Sequence, residues 1–202
     1  MRVVTRAQWL RSPWKNGKGV TYEIGRGQFG QGNDPDGVYH WRLSVAEITE
    51  PADFSAFEGY ERFLGVIEGA GILLTLPGEA APKSLPCFGS VVFDGGLAAK
   101  ARPVNGPTRD INLMVLRAWA RFEAEITERP TKMLKPDPAA AVNLFVCLRG
   151  SAQTHTLEHP EQTLQQHDSL LLAGSDSHSE LTLLAAANGV IFSARIYGRE
   201  PL

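Results

Sequence analysis

The chain has 202 residues, 43% of them hydrophobic, enough to bury one large core or two small ones of about 100 residues each, and this excludes a disordered chain. Its net charge of -2, with 20 Lys and Arg dispersed along the chain, leaves no basic footprint for phosphate neutralisation, so no nucleic-acid partner is expected. No apolar run approaches the roughly 18 residues that span a bilayer, and MRVVTRAQWLRSPWKNG lacks the apolar core of a signal peptide, so neither membrane insertion nor export is expected.

In chain order, TRAQWL offers one helical turn with Thr5 as its cap. SPWKNGKGVTYEI then gathers Trp14, Lys15, Asn16 and Gly17 in a turn ahead of a β-branched, strand-like run. GRGQFG (25 to 30) fits the dinucleotide pattern GxGxxG, but the turn-rich QGNDPDG that follows cannot open the helix such a site needs, so the segment reads as a loop. Strands are predicted at 38–48, 62–69, 72–76, 90–95 and 109–117, and again at 121–126, 141–150, 152–158, 169–174, 180–186 and 189–198. Short apolar runs punctuated by 20 Gly and 13 Pro indicate an all-β sandwich or jelly roll.

The chain also echoes itself. FLGVIEGAGILLTL (63 to 76) resembles LFVCLRGSAQTHTL (144 to 157), SVVFDGG matches SLLLAGS, and INLMVLR matches GVIFSARI. A repeat of this length predicts two similar β-units. They are placed at 1–118 and 119–202, with strands exchanged between the halves, and the Pro- and charge-bearing ITERPTKMLKPDP interrupts the strands near the change-over.

Strand alternation marks candidate site faces. In RDINLMV, Asp110, Asn112 and Met114 share one face and Ile111, Leu113 and Val115 the other; in WRLSVAEI, Arg42, Ser44 and Ala46 lie opposite Trp41, Leu43 and Val45. A polar, small face suits a strand that lines a cavity, and equally one that faces solvent. The five histidines form no array of metal-ligand spacing, so no metal and no cofactor are expected, and the histidines read as surface residues. Cys87 and Cys147 form no CxxC pair and read as two buried thiols of a reducing compartment, which implies a cytoplasmic location.

PWKNG, WRLSVAEI, FSAFEGYERFLGVIEGAG, VVFDGG and NGPTRDINLMV, running in order across residues 9 to 117, resemble the HutD/Ves family of small bacterial bicupins. One departure is Lys18, in WKNGKG, where the family usually reads WKNGGG. The resemblance implies a bicupin, two jelly-roll-like β-barrels in one chain without the usual metal, and for the HutD branch an association with histidine utilisation. It also implies an acidic intermediate such as N-formylglutamate or urocanate in the first barrel; the Ves branch is linked to stress and cold response.

A pocket for a small carboxylate needs a few convergent donors in a mostly apolar cleft. Lys15 offers a point charge, Asn16 both donates and accepts, Gly17 permits the positive φ of a sharp turn, and Trp14 supplies a rigid wall. The same four residues also read as a core tryptophan, a solvated lysine and an ordinary turn. Arg62 and Arg109 are candidates for a planar fork to a carboxylate, with Asp110 or Asp94 as the acid that pairs with Arg62, and Asp110 orienting Lys15 or an arginine. Phe54, Phe57 and Tyr60 would wall the entrance. The resulting expectation is a metal-independent binding protein, a monomer or homodimer, holding a small carboxylate-bearing metabolite with Trp14, Lys15, Asn16, Gly17, Arg62, Arg109, Asp110 and Asn112. The alternative is a cupin-class enzyme acting on an amide, formyl or sugar substrate, with Asp110 or Tyr60 transferring the proton.

Overall fold

The computed structural model describes residues 1–14, 17, 19–29, 38–129, 133–156, 160–174 and 181–199. Among these the fold is all-β, and the helical turn expected near the start is a single 3-10 turn, Arg6–Gln8, whose Gln8 side chain accepts the Thr5 backbone N–H at 2.8 Å. The chain divides into two compact units, one built on Leu10–Ala120 and the other on Met1–Trp9 with Arg121–Glu200.

The first unit holds two antiparallel sheets. The larger is ordered β2 (Leu10–Pro13), β3 (Gly19–Gly27), β4 (Trp41–Ile48), β11 (Thr108–Leu116), β6 (Tyr60–Glu68), β9 (Ser90–Asp94). The smaller is ordered β5 (Ala52–Asp53), β10 (Lys100–Pro103), β7 (Ile72–Thr75), β8 (Lys83–Leu85). Between them lies a core to which Ile48, Leu64, Val66 and Phe93 come from the larger sheet and Ile72, Leu74, Leu85 and Ala101 from the smaller.

The second unit repeats the plan. Its larger sheet is β1 (Arg2–Val4), β16 (Ser169–Ala173), β13 (Val142–Arg149), β18 (Val190–Gly198), β12 (Ala120–Glu128), and its smaller one is β15 (Gln162–Leu164), β14 (Ala152–His155), β17 (Thr182–Ala185). Phe145, Cys147, Leu170, Leu172 and Ile191 meet Ala152, Leu164 and Leu183 in its core. The barrels expected from the resemblance are not closed: all four sheets are open.

Predicted and observed strands coincide where the apolar run is long enough to pair along most of its length, as in β4, β6, β11, β13 and β18. Six strands of two to four residues, β1, β2, β5, β8, β10 and β15, had no distinct local pattern, and for them a waiting partner makes the strand. The loop expected over GRGQFG is corrected in its first half, because Gly25, Arg26 and Gly27 continue β3 and pair with Leu43, Arg42 and Trp41. A Cβ on Gly27 would stand 2.6 Å from Nε1 of Trp41, so glycine is what allows the indole to cover this strand. Gly30 and QGNDPDG lie outside the described residues. Cys147 is buried as expected, whereas Cys87 is only half-buried.

Candidate functional site

The face of β4, β11 and β6 that turns toward the smaller sheet carries polar side chains in an otherwise apolar sandwich. Cross-strand register assembles them into rows. Ser44 lies opposite Asn112, with Leu64 beyond it, and Met114 lies between Arg42 and Arg62. These rows border a cavity of about 510 Å³, which Ser12, Trp14, Thr21, Phe54 and Phe57 also line.

Arg62, only 6% exposed, is the dominant group here. Its Nε and Nη2 both donate to Oδ1 of Asn112, at 2.8 and 2.5 Å, and its guanidinium carbon stands 4.3 Å from the ring centroid of Phe54. Nδ2 of Asn112 in turn donates to Oδ1 of Asp110. An arginine can only donate and a carboxylate accepts, so the two neighbours leave the Asn112 amide one orientation. Asp110 is fully buried, and its Oδ2 has no hydrogen-bond partner among the described residues. Burial lifts the Asp110 carboxyl to about 7 against the opposing pull of Arg62, and burial likewise lowers Arg62 to about 10, so the guanidinium stays charged at neutral pH. Arg42 is held differently: its Nε reaches Oε2 of Glu23 at 2.8 Å.

Of the residues predicted from sequence, Trp14, Arg62 and Asn112 line the cavity. Trp14 packs edge-on to Phe54 and its Nε1 donates to Oγ1 of Thr21 at 2.8 Å, so it is at once wall and packing residue. Gly17 has a φ of +72°, and its N–H reaches the Trp14 carbonyl at 3.1 Å, closing the turn. Lys15 and Asn16, like Lys18, lie outside the described residues. Asp110 stands behind Asn112 and acts on Arg62 through it.

Arg109 corrects an expectation. It does not line the cavity, because its position in β11 puts it on the opposite face from Asp110 and Asn112. There Glu47 takes its Nε and Nη2 at 2.9 and 2.7 Å, and Glu68 takes Nη1 at 3.0 Å, so the fork expected for a ligand is filled by the protein. Phe54 and Phe57 do wall the cavity, but the Tyr60 hydroxyl donates to the Tyr39 carbonyl at 2.5 Å instead of facing it. Asp94 pairs with Arg117 at 3.2 Å, leaving Asp110 as the acid of Arg62. Of the histidines, His40 and His167 are buried, contrary to the surface reading; His40 stacks on Trp119 with centroids 4.3 Å apart. His159 and His178 lie outside the described residues, among which no group of three or more His, Cys, Asp or Glu could hold a metal ion.

Arg42, Ser44, Thr21 and Ser12 were not among the predicted contacts. Alternation in WRLSVAEI had placed the first two on a candidate face, and the missing signal was register, which sets Ser44 against Asn112.

A family model described as HutD matches residues 6–192. The chain belongs to the HutD family. A 21.2 kDa protein from the hutC 3′ region of Pseudomonas putida is 35% identical to it over 172 residues, covering 85% of this chain and 86% of that one. Protein Ves of Citrobacter koseri is 29% identical over 119 residues, 57% of this chain and 58% of its own. The solved structure of HutD from Pseudomonas fluorescens SBW25 (formate condition) superposes with a TM-score of 0.80 at 28% identity, covering 98% of this chain and 99% of that one. The HutD family is thereby linked to the histidine-utilisation locus. The fold is cupin-like: a cupin 2 conserved barrel domain protein from Leptotrichia buccalis, 11% identical, superposes with a TM-score of 0.58 over 98% of this chain and 96% of its own. Among the described residues no helix is long and apolar enough to cross a membrane.

Proposed function

We propose that this HutD-family chain is a metal-independent small-molecule binding protein that holds an acidic metabolite in the cavity of its first unit, with a regulatory role in histidine utilisation. N-formylglutamate and urocanate are the candidate ligands. The two units are read as the two cupin-like halves of a bicupin.

One observation carries the reading: a buried arginine borders a 510 Å³ cavity, and its side chain is immobilised before any ligand arrives. Holding Nε and Nη2 on Asn112 removes most of the rotamer entropy that an arginine would otherwise lose on binding, while Nη1 makes no hydrogen bond among the described residues. Ser44 adds a hydroxyl beside Asn112, and Trp14, Phe54 and Phe57 supply the apolar walls that such pockets use to exclude water. A short acid with a planar or amide-bearing body suits this mixture of two guanidiniums, one of them already paired with Glu23, hydrogen-bonding side chains and three aromatic rings.

Calorimetric titration of the purified chain with N-formylglutamate, its dimethyl ester and urocanate tests the reading. Binding of at least one acid, no binding of the ester, and a tenfold or greater loss in Arg62→Met are expected. Ser44→Ala, which leaves the buried pair untouched, should weaken the same ligand severalfold and covers the case in which Arg62→Met fails to fold. Equal binding of acid and ester, or no binding of either acid, would defeat the proposal.

A further inference from the structure

Each of the two guanidiniums at the cavity already has a carboxylate of its own. Arg42 is matched by Glu23, which also meets the exposed Arg26 at 3.5 Å, and Arg62 is matched by Asp110 through the Asn112 amide. Asp53, at the cavity lining, brings a third carboxylate, 3.4 Å from Lys100. An anion that settles on Arg62 therefore shares that cation with Asp110, and two negative charges on one buried positive charge leave an excess that the interior cannot solvate.

We propose that an acidic ligand enters this cavity together with one proton, and that Asp110 is the group that takes the proton up. The inference rests on the reading of the cavity as an anion site. The proton comes from solvent and goes to Oδ2, since Oδ1 is engaged by Asn112 and Oδ2 has no partner among the described residues. Protonation leaves the Asn112 amide in place and turns Arg62 into an uncompensated cation facing the ligand. Asp110 is thus a positioning and charge-setting residue that acts on the ligand through Asn112 and Arg62 without touching it.

Among the described residues the two other carboxylates at the cavity have cations of their own, Glu23 with Arg42 and Asp53 with Lys100, which leaves Asp110 as the acid that acts on Arg62. Opposite Asp110 stand Ala46 on β4 and Val66 on β6, with Thr21 of β3 beyond Ala46, and none of them titrates. The core cluster beside these rows is apolar, and among the described residues Arg62 is the charge whose field acts on Asp110. Arg42 and Tyr39 act on Arg62 instead. A carboxyl that titrates near 7 is poised to change state on ligand arrival at ordinary pH.

By linkage, a ligand that raises the carboxyl's proton affinity binds equally well at all pH values below the free-state titration and loses about tenfold per pH unit above it. The test is titration of N-formylglutamate, whose own carboxylates stay ionised above about pH 6, into the intact chain between pH 5.5 and 8.5 in cationic amine buffers that do not compete for an anion site, with the pH 8 titration made in both Tris and triethanolamine. The expected result is a flat affinity up to about pH 6.5, a fall approaching tenfold between pH 7.5 and 8.5, and uptake of close to one proton per ligand at pH 8, read from the difference in heat between the two buffers. Asp110→Asn should bind with a flat profile and no proton uptake. Binding by the parent without proton uptake would overturn the inference while leaving the carboxylate site standing; a retained pH slope in Asp110→Asn would overturn the assignment to Asp110. Absence of binding at every pH would remove the anion site itself, and the inference with it.

Discussion

Replacing Asp110 with Asn should alter how stability depends on pH, and the size of the change follows from burial. In the folded chain the carboxyl titrates at about 7, against an ordinary value of 3.8. Between these values the folded chain holds a proton that the unfolded chain has released. Stability from this group is therefore greatest below about pH 4 and falls as pH rises toward 7. At about 1.4 kcal/mol per pH unit, the full span corresponds to roughly 4 kcal/mol. A carboxamide does not ionise, so the stability of the variant minus that of the parent should climb by about 3–4 kcal/mol from pH 4.5 to 8. A constant offset of about 1–3 kcal/mol is expected where the extra N–H finds no acceptor at the Oδ2 position, but it cannot produce a slope. Arg62 lacks a counter-charge in both the variant and the protonated parent, so its contribution cancels at the acid end. Urea unfolding followed by tryptophan fluorescence at several pH values measures the difference. A difference constant to within about 0.5 kcal/mol across the range would show that Asp110 is ionised at every pH tested, and the argument from burial would fail.

Asn112→Leu should cost about 3–5 kcal/mol by the same assay, since it strips two hydrogen bonds from buried Arg62 and one from buried Asp110 while keeping similar volume. Arg109→Ala should cost no more than about 1 kcal/mol and leave carboxylate affinity unchanged in calorimetry, because its partners Glu47 and Glu68 are partly solvated and lie on the far face of the sheet. Burial, reinforced by Asp168, pushes the Cys147 thiol up to about 11. A disulfide reagent at pH 8 should therefore modify half-buried Cys87 in the folded protein and reach Cys147 only on unfolding.

Much of the site's chemistry was legible in the chain because side-chain alternation along a strand is a local property. WRLSVAEI and RDINLMV each declare which residues share a face with no reference to any other segment, and those faces do border the cavity at Arg42, Ser44, Ala46, Asn112 and Met114. The all-β class and the duplicated plan are likewise written in runs of apolar residues broken by Gly and Pro. Tertiary structure decided the rest, because partners distant in sequence leave no local mark. Arg62 and Asn112 stand 50 residues apart, and only the β11–β6 register brings the guanidinium onto the amide. The same register, with β4 on the other side, hands Arg109 to Glu47 and Glu68, although Arg62 and Arg109 look equally suited to a carboxylate when read as sequence. The first strand behaves likewise: Arg2–Val4 is a strand because Ser169, Leu170 and Leu171 offer it a free edge, a condition set by the fold and not by three residues.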